Sequence, residues 1–270
     1  MNINWYPGHM AKTRRQLEED LSGVDAVIEL FDARAAASSR NPDLEAMCGG
    51  KPRLLVLGRA DLADPAVTAL WQKVLPGSAA VNAASPGASK AVLPALRKLL
   101  AERIRRDTEK GQAGRPLRVI VIGVPNTGKS TLINTLLRRR AAKAEDRPGV
   151  TRSRGWFSME RGFLLMDTPG MLWPKFEDTR TGFHLAFTGA IRDEIMDTET
   201  LAARLIDTLE ALYPGALGGR YGTAGGLEAL AERRGYLLPG GVPDTGRMAL
   251  ALLDDFRAGK LGRISLERPE

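Results

Sequence analysis

Residues 123–130 read GVPNTGKS: a glycine, four variable residues, then Gly-Lys-Ser. That spacing suits the wrapping of a phosphate chain. Gly123 and Gly128 let backbone N–H groups curl into a concave nest for anionic oxygens. Asn126, Thr127, Gly128 and Thr131 complete the cradle, and the helix that opens behind it adds its positive end. Lys129 offsets charge on the β- and γ-phosphates, which makes it a catalytic candidate, and the Ser130 hydroxyl can ligate Mg²⁺. The context is the required one: LRVIVIG before the loop has the character of a buried strand, and KSTLINTLL after it opens a helix.

Further on, FLLMDTPG places Asp167 at a strand end, where it can support Mg²⁺ through water, and Gly170 where its N–H can meet a γ-phosphate. Thr151, in RPGVTRS, sits between the two motifs and could ligate the metal and sense the γ-phosphate. Its plainer alternative is an ordinary loop threonine. Upstream of all these lies LLVLGRADL, residues 54–62, with the layout of a strand ending in a base-reading loop. Where Asn-Lys-x-Asp would read guanine stand Gly58, Arg59, Ala60 and Asp61. The Asp61 carboxylate can accept from guanine N1–H and N2–H, groups that adenine does not offer in that arrangement. Arg59 can lay its stem and guanidinium over the base. Gly58 lacks the amide that would tie the loop to its neighbours, so guanine preference is expected to survive with weaker affinity. SAAVNAAS, farther along, ends a strand in small residues and offers Asn82 and Ala83 for backbone contacts to guanine O6. From Met171 to Glu270 there is no second base-reading candidate. The motif order is that of a GTPase cut after switch II and rejoined through residues 107–116, a cut that leaves spatial neighbours in place.

The elements that must position these residues alternate. Strand-like runs at Val24–Phe31, Arg53–Leu57, Ala79–Asn82, Leu117–Ile122 and Phe163–Met166 are interleaved with helical patterns near Lys12–Leu21, Pro65–Val74, Ser89–Arg106 and Lys129–Arg140. That alternation predicts an α/β fold, a mostly parallel sheet with helices on both faces. Asp107–Pro116 reads as a charged, Gly-rich linker. After Phe176 the pattern is helical, near Thr181–Ile191, Thr198–Leu212, Leu227–Arg234 and Thr245–Arg257. The expected division is a permuted GTPase domain over 1–176 and a small all-α domain over 177–270.

With 43% apolar and 26% charged residues in 270, the composition is that of a globular protein, and no apolar run is long enough to span a bilayer. The N-terminus carries aromatics and charges where a signal peptide would be apolar, so a cytoplasmic setting without membrane integration is expected. Cys48 is the single cysteine, which leaves it no disulfide partner within the chain, and it reads as a core thiol. The net charge is +7 and points to a polyanionic partner. Seven basic residues fall between Arg138 and Arg154 and are candidates for RNA contact, whereas the cluster from Arg97 to Arg106 reads as a solvated helix face.

The wording of the motifs is more specific than their order. NINWYPGHMAK, ELFDARAAASSRNP, GVPNTGKSTLIN, DRPGVTRS, DTPGMLWPKFED and DFRAGKLGRISLE together resemble the ribosome biogenesis GTPase A (YlqF) family of circularly permuted GTPases. The resemblance implies a GTP/GDP-binding, Mg²⁺-dependent hydrolase that engages the large ribosomal subunit, with the helical C-terminal domain helping to contact rRNA. It also bears on the attacking water. Met171 stands where many GTPases carry a water-orienting Gln. The permutation brings the N-terminal segment toward switch II, and the family reading makes His9 a catalytic candidate; a capping or packing histidine is the alternative. Related GTPases with Asn at the position of Asn126 use it to hold K⁺, though Asn there also suits a turn. His184, in GFHLAF, reads as a packing residue. Two rival functions stay open at this level: a P-loop ATPase or kinase in which Asp61 reads nothing, and an RNA-binding scaffold with a structural nucleotide.

Overall fold

The computed structural model describes residues 9–138, 155–159, 162–174, 176, 178–193 and 196–269, with side chains from Lys12 onward. Six strands form one sheet: β1 (Ala26–Asp32), β2 (Arg53–Gly58), β3 (Ala79–Ala80), β4 (Leu117–Ile122), β5 (Phe157–Met159) and β6 (Phe163–Asp167). Their order is β3-β2-β1-β4-β6-β5, parallel throughout except for the edge pair β5/β6. Strands β1 and β4, at the centre, are nearly continuous apolar runs because both of their faces are covered.

The helices are α1 (His9–Ser22), α2 (Pro42–Cys48), α3 (Pro65–Val74), α4 (Gly87–Leu99), α5 (Ala101–Glu109), α6 (Lys129–Leu136), α7 (Thr179–Phe187), α8 (Thr198–Leu212), α9 (Ala216–Tyr221), α10 (Leu227–Arg234) and α11 (Thr245–Arg257). Alternation along the strands divides the core. Ile28, Leu30, Val119 and Val121 face one way, with Val92 and Leu96 of α4 and Leu132 of α6. Val27, Ile120 and Ile122 face the other, in a cluster that continues through Leu17 of α1 into Leu201, Leu252 and Phe256 of the C-terminal helices. Those helices therefore share a core with the sheet and are not hung from it by a tether.

Several expected boundaries shift. The helix expected over Ser89–Arg106 is two, broken at Leu100, which is buried at the bend. The expected linker starts later, because α5 runs to Glu109, with ion pairs Arg103–Asp107 at 3.2 Å and Arg105–Glu109 at 2.9 Å along its face. Strand β3 ends at Ala80, and Asn82 then turns the chain by accepting from Ala84 N at 2.9 Å. Helix α7 stops at Phe187, where Gly189 takes φ 78° and Ala190 N donates back to Leu185 O. Elements β5, α2 and α9 were not expected. Among them α2 has a clear local cause: the Asn41 side chain accepts from Asp43 N and Leu44 N, ahead of Pro42 in the first turn.

Cys48 is buried, and burial pushes its thiol up to about 11, as befits a core residue. The Arg97–Arg106 cluster does form a solvated face, on which exposed Arg105 pairs with Glu102 and Glu109. Among the described residues no helix is long and apolar enough to cross a membrane.

Candidate nucleotide site

Strand β4 ends at Ile122 and the chain leaves the sheet at Gly123, whose φ is 152°. A Cβ there would run into the Leu30 carbonyl, so the exit demands glycine. Gly128, at φ 94°, turns the loop into α6, and the Thr127 hydroxyl donates back to Val124 O at 3.0 Å. Thr131 lies in the first turn of α6. The Lys129 ammonium is buried and donates to Val124 O at 2.7 Å. Burial draws its pKa down to about 8 despite the opposing pull of the Asp167 carboxylate.

Asp167, at the end of β6, accepts from the Ser130 hydroxyl at 3.3 Å through Oδ2. Its other oxygen, Oδ1, is buried without a hydrogen-bond partner, and burial raises the carboxyl above its usual range. Gly170 lies so near the phosphate loop that a Cβ would stand 2.7 Å from Pro125 Cα and 2.8 Å from Lys129 Nζ. Met171 donates its N–H to Gly123 O, accepts at its carbonyl from Asn41 Nδ2, and buries its side chain in the core. Leu17 and Leu21 of α1 belong to the same apolar cluster as Met171 and Leu172.

The candidate base loop follows β2. Gly58 is the last residue of that strand, and a Cβ on it would stand 3.0 Å from Leu30 Cδ1 and 3.1 Å from Thr127 O. Arg59 holds a left-handed φ of 53° and faces Asn126, itself left-handed at φ 58°. The Arg59 guanidinium donates to Asn126 O at 2.8 Å, with its Nε 3.8 Å from Asp32 Oδ2. Asp32 is fully buried against Arg34 through contacts of 3.0 and 2.8 Å. Burial alone would raise its carboxyl, but the Arg34 guanidinium overcomes that and holds it below the usual range. Ala60 N donates to Val81 O, which joins this loop to the strand leading to Asn82 and Ala83. Asp61 and Asn82 are exposed, whereas Ala83 is buried, with its carbonyl accepting from Thr135 Oγ1 and its methyl near Gly128.

The described candidates from both halves of the sequence therefore meet along one rim of the sheet, at the carboxyl ends of β2, β4 and β6. His9 is the first residue of α1. Its side chain, Thr151, and the basic residues from Arg139 to Arg154 lie outside the described residues. The sequence reading missed two partners from the helical part. Gly189 O accepts from Asn126 Nδ2 at 2.6 Å. Arg263 donates to Ala60 O at 2.7 Å across 203 positions. No local signal links residues so far apart. His184 is buried as expected, and it also shares the carboxylate of Glu267 with Ser38.

A phosphate-loop strand flanked by the Asp167 strand and β1, with the base-loop strands earlier in the chain, defines a circularly permuted P-loop GTPase. Residues 118–210 match the family model described as "50S ribosome-binding GTPase". Ribosome biogenesis GTPase A of Bacillus pumilus is 40% identical, covering 100% of both chains. Its namesake in Thermotoga maritima is 32% identical over 99% of this chain and 95% of its own. Mitochondrial ribosome-associated GTPase 1 of Mus musculus is 34% identical over 98% and 90%. The crystal structure of GNP-bound YlqF from T. maritima aligns with a TM-score of 0.66 at 28% identity, over 96% of this chain and 99% of that one. The chain belongs to the ribosome biogenesis GTPase A family. It is a GTP hydrolase that binds guanine nucleotide, which removes the ATPase reading.

Proposed function

We propose that this GTPase acts on the large ribosomal subunit, binding rRNA with its helical part, residues 177–270, in the GTP state and leaving after hydrolysis. The observation that carries the proposal is the bond from Asn126 Nδ2 to Gly189 O, because it puts the helical part in contact with the phosphate loop itself. A surface that contacts rRNA is then one hydrogen bond from the residue that would sense the nucleotide. The family description and the relatives' names point to the same partner.

In this reading Lys129 lies against the β/γ-phosphates, and Gly170 N–H and Thr151 close on the γ-phosphate. Asp61 reads the guanine edge, Arg59 fixes its loop to the phosphate loop, and Ala60, Asn82 and Ala83 line the base pocket. Ser130 and Asp167 would hold Mg²⁺, and the unpartnered Asp167 Oδ1 fits that demand. The ion supplies neutralisation of phosphate charge. Asn126, whose amide nitrogen is engaged by Gly189, leaves its amide oxygen for K⁺. With Met171 buried, water must be oriented by another group, and His9 at the start of α1 fills that role when a ribosomal partner is bound.

GTP turnover should be measured with and without large subunits, in K⁺ and in Na⁺. The expected result is a rise of about tenfold or more on the subunits, larger in K⁺, and lost in His9→Ala. Equal turnover with and without subunits would defeat the proposal, and an unchanged His9→Ala rate would remove His9 from it.

A further inference from the structure

The guanine-side loop is held by a segment of the chain that no nucleotide motif includes. After α11 the chain turns back along the loop and bonds to it residue by residue. Arg263 Nε donates to Ala63 O at 2.9 Å and its Nη2 to Ala60 O at 2.7 Å. Ile264 N donates to Leu62 O at 2.9 Å, and the Ser265 hydroxyl accepts from Asp64 N at 3.2 Å. The segment is anchored further on, where Leu266 N donates to Arg34 O and the Glu267 carboxylate accepts from Ser38 N and Oγ. Asp61 thus stands exposed on a loop whose carbonyls on either side, at Ala60 and Leu62, are both tied to this segment. Gly58 can supply no side-chain tie of its own, and the space around it has little room for one.

We propose that the segment 263–266 is part of the guanine-recognition machinery, with Arg263 as a positioning residue that aims Asp61 at the base. Arg263 touches no nucleotide in this scheme; it acts through two backbone carbonyls. The inference rests on the reading of residues 58–61 as the base loop. It adds that the helical part controls guanine selectivity, because the segment continues directly from α11. The C-terminal carbonyls of that helix, Phe256 O and Arg257 O, accept from the buried Arg34.

Binding of GDP, of IDP (which lacks the exocyclic amine) and of XDP should be compared for the full chain and three variants. Arg263 is exposed, so Arg263→Ala removes the brace without opening the core. It should weaken GDP about tenfold while weakening IDP much less, so that the GDP-to-IDP preference shrinks. A purely structural contribution would weaken both alike, and that outcome, or no change, would overturn the proposal. Arg263→Lys keeps the charge with a single donor point and should fall between. If the alanine variant does not fold, a wild-type preference in the lysine variant overturns the proposal. Asp61→Asn should turn the preference from GDP toward XDP. If it does not, the base-loop reading falls and the proposal with it. If it does while Arg263→Ala keeps the wild-type ratio, only the brace falls.

Discussion

The two ends of the proposed nucleotide site are built on opposite plans. The phosphate end is local and buried: Gly123 to Ser130 follow one another in the chain, and Asp167 and Gly170 close on them with no room to spare. The base end is assembled and open. Asp61 is exposed, two of its neighbours hold unusual left-handed or crowded positions, and its loop leans on residues from the far end of the chain. Phosphate recognition uses backbone amides and one charge, which a short motif can place unaided. Base recognition needs a side chain aimed over a distance, and aim can be borrowed from any element that packs nearby.

The strongest way to break that comparison is at Lys129. Lys129→Met should weaken GTP and GDP by about 100-fold or more, since in the proposed site the buried ammonium neutralises charge on the β- and γ-phosphates. The same substitution should raise the melting temperature of the nucleotide-free protein. A lysine with its folded pKa near 8, against 10.5 as its ordinary value, is a buried charge that costs stability below about pH 8. The cost fades as pH climbs toward 10.5, because the folded state has then shed a proton that the unfolded state keeps. After allowing for the Val124 carbonyl left unpaired, the gain at pH 7 is about 1 kcal/mol, readable by thermal melting in both proteins.

A smaller effect sharpens the base end. Gly58→Asn would restore the residue that base loops commonly carry, yet its Cβ must displace Leu30 Cδ1 or Thr127 O. Affinity for GDP should move by less than about threefold, while stability falls by about 1–2 kcal/mol. A large affinity gain would mean that the loop had been waiting for its missing amide and that the C-terminal brace contributes little. The smallest effect is a proton count. Phosphate binding favours charged Lys129, so GDP binding at pH 8 should take up roughly half a proton, and affinity should fall as pH rises past that point. Calorimetry in buffers of different ionisation enthalpy measures the uptake directly.

Much of the fold was legible where its causes are local. Helices α3, α8 and α11 run over the residues their patterns indicate, and in each an Asp cap at 64, 197 or 244 accepts from the first turn. Strand β4 matches its apolar run because both faces are covered. Strand β5 was not legible: three residues at an antiparallel edge gain their pairing from Phe163–Leu165 and carry too short a pattern to announce it. The break at Leu100 was hidden for a similar reason. Its burial depends on what lies beneath, and the helical periodicity continues across it. At the site the same line divides the residues. Ser130 and Asp167 were readable as a pair from motif context, but Asn126 with Gly189 was not.

What the sequence determined by itself is the chemistry of the phosphate loop and the permuted order of the motifs. The first depends on residue types within a few positions of one another, where backbone geometry leaves few alternatives, and the second on the order in which such short motifs follow along the chain. What the tertiary structure alone decided is which distant residues support them. Arg263 beneath the base loop and Gly189 against the phosphate loop are products of how α7 and α11 pack on the sheet, and a hydrogen bond between residues 203 positions apart leaves no trace in the spacing of either.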